Sequence, residues 1–223
     1  MRLGDVMNEV YKRQEELEQL LGYINFIQVG AGGVGTWFAI SMALSVEYMT
    51  AVIVDDDVLE VHNLNRLPYP PTLVALNKRK PKKAEVLANF IKLLRPQHEV
   101  LPMTKRIENE RDLEDIVIAF EERHPLNLLV DATDNTATSR IIRKVAKKFN
   151  VDLLSIHYDG LHITIDYCEP DEIRDDWETE EAQGYTIAPS VAFPPMFIGS
   201  LATALVLTER RNITISLNLG EVR

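Results

Sequence analysis

The sequence predicts an α/β fold built on one mostly parallel sheet that is flanked by helices. Short apolar runs alternate with longer stretches of helical periodicity through most of the 223 residues, and this alternation is typical of a parallel sheet. A glycine-rich turn follows the first buried apolar run and opens a helix. Strand, turn and helix in that order predict a Rossmann-like domain.

Each predicted element follows from the spacing of its apolar residues and from its stop signals. Strands are predicted at residues 24–29, 51–54, 100–103, 126–130, 151–156, 163–168 and 213–217. Helices are predicted at residues 5–21, 37–46, 82–94, 110–122, 136–149 and 193–207. The fifth and sixth strands are joined through Asp159 and Gly160, so we expect an antiparallel extension of the sheet in the C-terminal half.

Two segments lack periodicity. Residues 58–77 are rich in proline and are expected to form an irregular loop. Residues 170–188 begin with an acidic stretch and are expected to form a mobile crossover loop. We expect a single domain over residues 1–223, in which residues 1–22 form an N-terminal helix.

Composition excludes several classes of protein. The formal net charge of -10 argues against a general nucleic-acid binder, because phosphate contacts need a basic surface. The single cysteine, Cys168, leaves no disulfide within the chain and no zinc site of paired CxxC motifs, so the cytoplasm is the expected compartment. No apolar run reaches the roughly 20 residues of a membrane span.

The glycine turn predicts a nucleotide site. Its glycines are Gly30, Gly32, Gly33 and Gly35. In this arrangement glycines allow a tight turn, a close approach of backbone to phosphate, and packing of helix on strand. Asp55 follows the next predicted strand, where a carboxylate can accept ribose hydroxyls, and Asp57 is a further candidate at the same place. The motif leaves NAD, FAD, S-adenosylmethionine and ATP open.

Basic and amide side chains follow this strand. Asn63, Asn65 and Arg66 lie on the next loop, where an amide and a guanidinium can bind a polyphosphate. Lys83 begins the following predicted helical stretch, where a cation opposes the helix dipole unless a phosphate neutralises it. It is preferred to Lys82 because it directly precedes Ala84. The alternatives are that residues 63–66 form a polar turn with a solvated arginine, and that Lys83 belongs to a solvated basic run.

The buried strand at 126–130 runs into Asp131, and Asp134 and Asn135 follow closely. The end of a central parallel strand is where Rossmann-like folds place ligand chemistry. A carboxylate beside an amide suits Mg²⁺. The alternative is that Asp134 or Asn135 caps the helix that begins at Thr136, and both interpretations can hold together.

Taken together, these motifs resemble the ubiquitin-activating superfamily, whose bacterial members include ThiF- and MoeB-type adenylyltransferases. The resemblance covers residues 23–207, and the motifs occur in the family's order. It implies ATP and Mg²⁺ as cofactors, and a carboxylate activated as an acyl-adenylate with release of pyrophosphate. The expected substrate is the C-terminus of a ubiquitin-like or sulfur-carrier protein, and the expected assembly is a homodimer.

The resemblance also implies roles for individual residues. Asp55 would bind the ribose, Arg66 and Lys83 the phosphates, and Asp134 the Mg²⁺ with the help of Asn135. Arg66, Lys83 and Asp134 are therefore the candidate catalytic residues. Arg13 on the N-terminal helix matches a stretch that in family dimers reaches the partner's ATP, and otherwise it is solvated.

Some positions depart from the family. Leu67 stands where glutamine is common, and the predicted crossover loop has no cysteine. Cys168 is expected to be a buried core thiol, so adenylation alone fits better than a thioester mechanism. His157, at a predicted strand end, either contacts substrate or is a half-buried histidine near a turn.

Three other functions stay open. One relative of this superfamily acts on a threonylcarbamoyl group of transfer RNA, and its glycine loop is also followed by a small hydroxyl residue and Trp, as at Thr36 and Trp37. An NAD-linked oxidoreductase explains the glycine turn and Asp55 but gives no role to Arg66 or Lys83. A catalytically silent binding subunit has no use for the polar residues.

Overall fold

The computed structural model describes residues 10–12, 22–76, 79–174 and 190–219. Most of the predicted N-terminal helix, including Arg13, and residues 175–188 of the predicted crossover loop lie outside these ranges. In the part of 170–188 that is described, Pro170–Glu172 form a 3-10 helix.

The described chain forms a seven-stranded sheet in the order β3-β2-β1-β4-β5-β6-β7. The strands are β1 Tyr23–Val29, β2 Tyr48–Val54, β3 Glu99–Met103, β4 Leu128–Asp131, β5 Asp152–Asp159, β6 His162–Cys168 and β7 Ile213–Asn218. The first five are parallel to one another, and β6 and β7 extend the sheet in antiparallel fashion. The predicted mostly parallel sheet and its predicted antiparallel extension in the C-terminal half are both confirmed.

Helices cover both faces of the sheet. They are α1 Gly33–Ser45, α2 Lys83–Leu94, α3 Glu110–Glu121, α4 Thr136–Phe149 and α5 Phe193–Leu207. The predicted irregular loop contains a 3-10 helix, Val61–Asn65, and a short α-helix, Thr72–Ala75. Helix α1 begins four residues earlier than predicted, because the glycine turn itself supplies its first turn and Thr36 N–H bonds the Gly32 carbonyl.

The alternation of side chains along the central strands divides the core into two layers. Phe26 of β1 packs with α1, α2 and α5 on one face, and its neighbour Ile27 packs with α3 and α4 on the other. Helix α5 lies against α1, and a Cβ at Gly199 would come within 2.7 Å of the Phe38 nitrogen. The sequence therefore buries both faces of the parallel strands, as parallel sheets require.

The topology places the carboxyl ends of three strands together. Strand β1 lies between β2 and β4, with Val29 paired with Val54 on one side and Asp131 on the other. The strand order reverses at this point, and ligands of open α/β sheets bind in the crevice beside such a reversal. The residues that follow β1, β2 and β4 are therefore brought to one edge.

A buried ion pair connects α4 with the antiparallel extension. Arg143 Nη2 lies 3.3 Å from Asp166 Oδ2, and it also donates a hydrogen bond to Ser155 Oγ at 3.0 Å. Thr214 Oγ1 on β7 donates to the other oxygen of Asp166. Within the described ranges, no helix combines the length and apolar character that a membrane crossing needs.

Candidate functional site

A cleft with a volume of about 560 Å³ opens at the carboxyl edge of the sheet. Predicted site residues from five separate segments line it: Gly30, Gly32, Gly33, Asp55, Asp57, Arg66, Lys83, Asp134 and Asn135. Three others, Gly35, Asn63 and Asn65, do not line it. The volume is within the range of about 300–1,000 Å³ that is usual for small-molecule sites.

Two glycines shape the turn at the base of the cleft. Gly30 has φ +102°, and a Cβ there would run into the carbonyl oxygen of Ala132. A Cβ at Gly35 would meet the Gly30 carbonyl oxygen and come within 2.7 Å of Gln28 Nε2. Gly35 therefore allows β1 and α1 to pack closely from behind the cleft. Space is open around Gly32, so a ligand can approach its backbone.

Asp55 is held by backbone amides at the end of β2. Its Oδ2 accepts a hydrogen bond from Ala31 N–H at 2.7 Å, and its Oδ1 accepts one from Asp57 N–H at 2.8 Å. Burial raises the pKa of Asp55, and these amides and Lys83 partly oppose that effect. A carboxylate has about four lone-pair sites, so Asp55 keeps acceptor capacity for ribose hydroxyls.

The two adjacent lysines take different positions. Lys83 is the first residue of α2, lines the cleft and forms an ion pair with Asp57. Lys82 is the N-cap residue of that helix, and its Nζ donates to the Asp56 carbonyl at 2.6 Å. Of the two lysines, only Lys83, the residue that begins α2, is therefore directed to the cleft.

The loop after β2 presents Arg66 to the cleft through a local framework. Asn63 is buried, and its Oδ1 accepts a hydrogen bond from Glu60 N–H at 2.9 Å. Asn65 Oδ1 accepts from Arg66 Nη1 at 3.1 Å, while its Nδ2 donates to the Ser190 carbonyl. The Trp37 indole donates to the Arg66 carbonyl. Asn63 and Asn65 thus support the loop here, and their nucleotide contacts stay predictions.

Asp134 and Asn135 follow β4 in the cleft wall. Asn135 is the N-cap of α4, where its Oδ1 accepts from Thr138 N–H at 3.1 Å. The carboxylate of Asp134 is exposed. The cap prediction therefore holds for Asn135, and Asp134 keeps its oxygens for a ligand.

His157 and Asp131 form a buried pair behind this segment. The distance between His157 Nε2 and Asp131 Oδ2 is 3.5 Å, and the carboxylate is fully buried. Burial would raise the pKa of Asp131, but the charge of His157 and hydrogen bonds from His157, Ser139 and Thr133 outweigh it and hold the pKa below 3.8. His157 is partly buried, as one alternative expected, and it also lines the cleft, so its contact with substrate stays a prediction.

Sequence reasoning missed other residues of the cleft. These include Lys105, Arg106, Thr133, Tyr158, His162 and Ser190. The first two follow β3, so the rule that pointed to the ends of the other strands would have found them. Tyr158 and His162 lie in the β5–β6 hairpin, and Tyr158 OH bonds Ser190 Oγ at 2.6 Å. No local sequence pattern predicts the contact between Tyr158 and Ser190, because 32 residues separate them.

Cys168 is a buried core thiol, as predicted. Burial, followed by the neighbouring Asp166, raises its pKa to about 12. The thiolate is the nucleophilic form of cysteine, so this residue is poorly suited to form a thioester at neutral pH.

A model of the ThiF family matches residues 8–207 of the chain. No curated protein sequence gives a significant match.

Solved structures share the fold. The crystal structure of selenomethionine PaaA has a TM-score of 0.73 at 18% identity, and the match covers 100% of this chain and 73% of PaaA. E. coli MccB with ATP gives 0.71 at 16% identity, covering 92% of this chain and 63% of MccB. E. coli MccB with MccA-N7isoASN has a TM-score of 0.74 at 14% identity, and the match covers 96% of this chain and 70% of MccB. This chain spans only part of the length of these proteins, and the likeness is one of fold.

Proposed function

The chain belongs to the ThiF family, and from this premise we propose that it is an ATP-dependent adenylyltransferase that activates a carboxylate. A carboxylate oxygen would attack the α-phosphorus of ATP, and the bond from that phosphorus to the pyrophosphate oxygen would break. The products are an acyl-adenylate and pyrophosphate.

One observation carries the proposal. The glycine turn, Asp55, Arg66, Lys83 and the segment at Asp134 come from separate parts of the chain, and all of them line a single cleft. A hydride-transfer site would need the glycine turn and the acid at the end of β2. It would have no need of two cations and a further exposed carboxylate, so a triphosphate substrate accounts for more of the cleft.

Each residue has a role that suits its surroundings. The backbone around Gly32 is open to a phosphate, and Asp55 can accept ribose hydroxyls. Arg66 and Lys83 supply positive charge, which stabilises negative charge that develops on the transferring group. Fixed cations in a cleft do this without reorganising during the reaction, so they are the proposed catalytic residues together with Asp134.

The cleft also fits Mg²⁺ that arrives with the nucleotide. No group of three or more His, Cys, Asp or Glu side chains among the described residues could hold a metal. Mg²⁺, however, is usually held by one or two carboxylates plus substrate phosphates, and the exposed Asp134 fits that donor set. When bound, the ion would neutralise charge on the phosphates. Asn135 would support Asp134 through the cap of α4.

We further propose that the carboxylate belongs to a protein or peptide, with the C-terminus of a ubiquitin-like or sulfur-carrier protein as the first candidate. Structures of MccB with MccA and with MccA-N7isoASN support a polypeptide partner by analogy of fold. The homodimer and the contribution of Arg13 across it stay predictions, which light scattering of the wild type and titration of Arg13→Ala with Mg·ATP would test.

The deciding experiment is calorimetric titration of the purified protein with Mg·ATP and, separately, with NAD. We expect magnesium-dependent ATP binding that Asp134→Ala abolishes. Asp115→Ala is the matched control, because Asp115 is an exposed aspartate on α3 outside the cleft. NAD binding that is indifferent to Asp134 would overturn the proposal. If magnesium-dependent ATP binding is found, ATP–pyrophosphate exchange that is stimulated by an added carrier protein would identify the carboxylate.

A further inference from the structure

We infer that His157, acting with Asp131, is a positioning residue that fixes the backbone next to Asp134 for magnesium-dependent nucleotide binding. The inference rests on the proposed function, because it concerns the same cleft. It adds two residues to which that proposal gives no role: His157 lines the cleft, and Asp131 is fully buried beside it.

The first step is the direction of the His157 ring. Its Nδ1 lies 2.9 Å from the carbonyl oxygen of Thr133. A carbonyl oxygen only accepts hydrogen bonds, so Nδ1 carries a hydrogen and donates it. Nε2 then faces the Asp131 carboxylate at 3.5 Å. The two nitrogens are therefore turned to residues 131–133, of which Thr133 lines the cleft.

The second step is the number of groups that hold Thr133. Its N–H donates to Asp131 Oδ1 at 3.2 Å, and its hydroxyl donates to the same oxygen at 2.9 Å. Its carbonyl is taken by His157. Asp131 and His157 together thus bind all three polar groups of Thr133, the residue immediately before Asp134. Since the Asp134 side chain is exposed, its position depends on this backbone.

The third step concerns charge. Asp131 is fully buried at the end of β4, and Ala132 and Thr133, which follow it, line the cleft. An uncompensated carboxylate there would repel phosphate and would be costly to bury. His157 is the basic side chain next to this carboxylate, with Nε2 3.5 Å from Asp131 Oδ2, and it lowers the pKa of Asp131. His157 therefore orders the wall of the cleft beside Asp134 and offsets the charge of the buried carboxylate.

The test compares ATP binding with and without Mg²⁺ in three variants. His157→Phe keeps a ring but removes both nitrogens, and we expect a loss of Mg·ATP affinity on the order of 10-fold, as for residues that orient metal ligands. Binding of ATP in excess chelator should change much less. His157→Asn keeps a donor for the Thr133 carbonyl and should recover part of the loss. His124→Asn is the matched control, because His124 lies just past the end of α3, next to Glu99, and does not line the cleft.

The outcomes separate this inference from the proposed function. If wild-type protein shows no magnesium-dependent ATP binding, both fall. If wild type binds but His157→Phe and His157→Asn keep its full magnesium dependence, only the role of His157 is overturned. A loss of metal-dependent and metal-free binding in equal measure, with a lowered melting temperature, would also overturn it, because it would show a structural role alone.

Discussion

Lys83 and Asp57 form an ion pair at the rim of the cleft, with Nζ 2.6 Å from Oδ2. The two side chains differ in exposure: Lys83 is 13% exposed, whereas Asp57 is 65% exposed. The lysine is thus held inside the cleft by a partner that water can easily replace. A phosphate group could take the place of Asp57 without leaving either charge buried and unpaired.

This relationship predicts that Lys83, and not Lys82, contributes to ATP binding. A hydrogen bond to a charged group contributes about 1.5–3 kcal/mol, so Lys83→Met should weaken Mg·ATP binding roughly 10- to 150-fold. Lys82→Met should remain near wild type, because Lys82 bonds the Asp56 carbonyl and does not itself line the cleft. Calorimetry on both variants measures the difference. Equal losses would show that only the general positive charge matters.

The geometry of the glycine turn predicts that Gly30→Ala lowers stability, whereas Gly32→Ala weakens ATP binding. Gly30→Ala places a side chain at φ +102° and against the Ala132 carbonyl, so the free energy of unfolding should fall by about 1–3 kcal/mol or more. Gly32 has φ -75° and open space, so Gly32→Ala should change stability by less than about 0.5 kcal/mol. It should nevertheless weaken ATP binding, because its methyl group blocks the approach of a phosphate.

Urea unfolding of both variants, followed by ATP titration of Gly32→Ala, checks this pair. Normal ATP affinity in Gly32→Ala would mean that the phosphates do not pass over the turn. Normal stability in Gly30→Ala would mean that the turn can adopt another conformation.

Most of the fold was predictable because its determinants are local. Apolar spacing gave α4 and α5 their observed ends, and the order of elements predicted the parallel sheet. The motifs of the cleft were predictable for the same reason, since each follows one strand. Their convergence at one edge then follows from the geometry of parallel strands.

Contacts between distant residues were not predictable in this way. His157 and Thr133 are 24 positions apart, and their bond depends on how β5 is aligned with β4. The sequence favours Lys83 over Lys82, and the structure places Lys83 at the first position of α2, but this choice depends on a difference of one residue. Element ends of that precision depend on tertiary contacts, such as the hydrogen bond from Lys83 N–H to the Asp57 carbonyl.

The buried ion pair between Arg143 and Asp166 predicts a large loss of stability when one partner is removed. Arg143→Met leaves a buried carboxylate without its main counter-charge, which typically costs about 3–5 kcal/mol. Lys144→Met is the matched control, because the neighbouring Lys144 pairs with Glu110 at the surface, where such pairs contribute about 0–1 kcal/mol. Chemical denaturation measures both. The double variant Arg143→Met, Asp166→Leu should recover much of the loss, and a double variant as unstable as the single one would contradict the charge argument.

The buried carboxylate of Asp131 predicts a specific dependence of stability on pH. Its pKa is lowered in the folded protein, so the unfolded chain binds the proton at a higher pH than the folded chain does. The contribution of Asp131 to the free energy of unfolding is therefore fully present above its ordinary pKa of 3.8, and it is lost as the pH falls through the lower folded value. Asp131→Asn lacks this titration. The difference in urea midpoint between wild type and Asp131→Asn should shrink as the pH falls below 3.8. A difference that stays constant down to the acid unfolding of the protein would show that the pairing of Asp131 with His157 does not stabilise the ionised carboxylate.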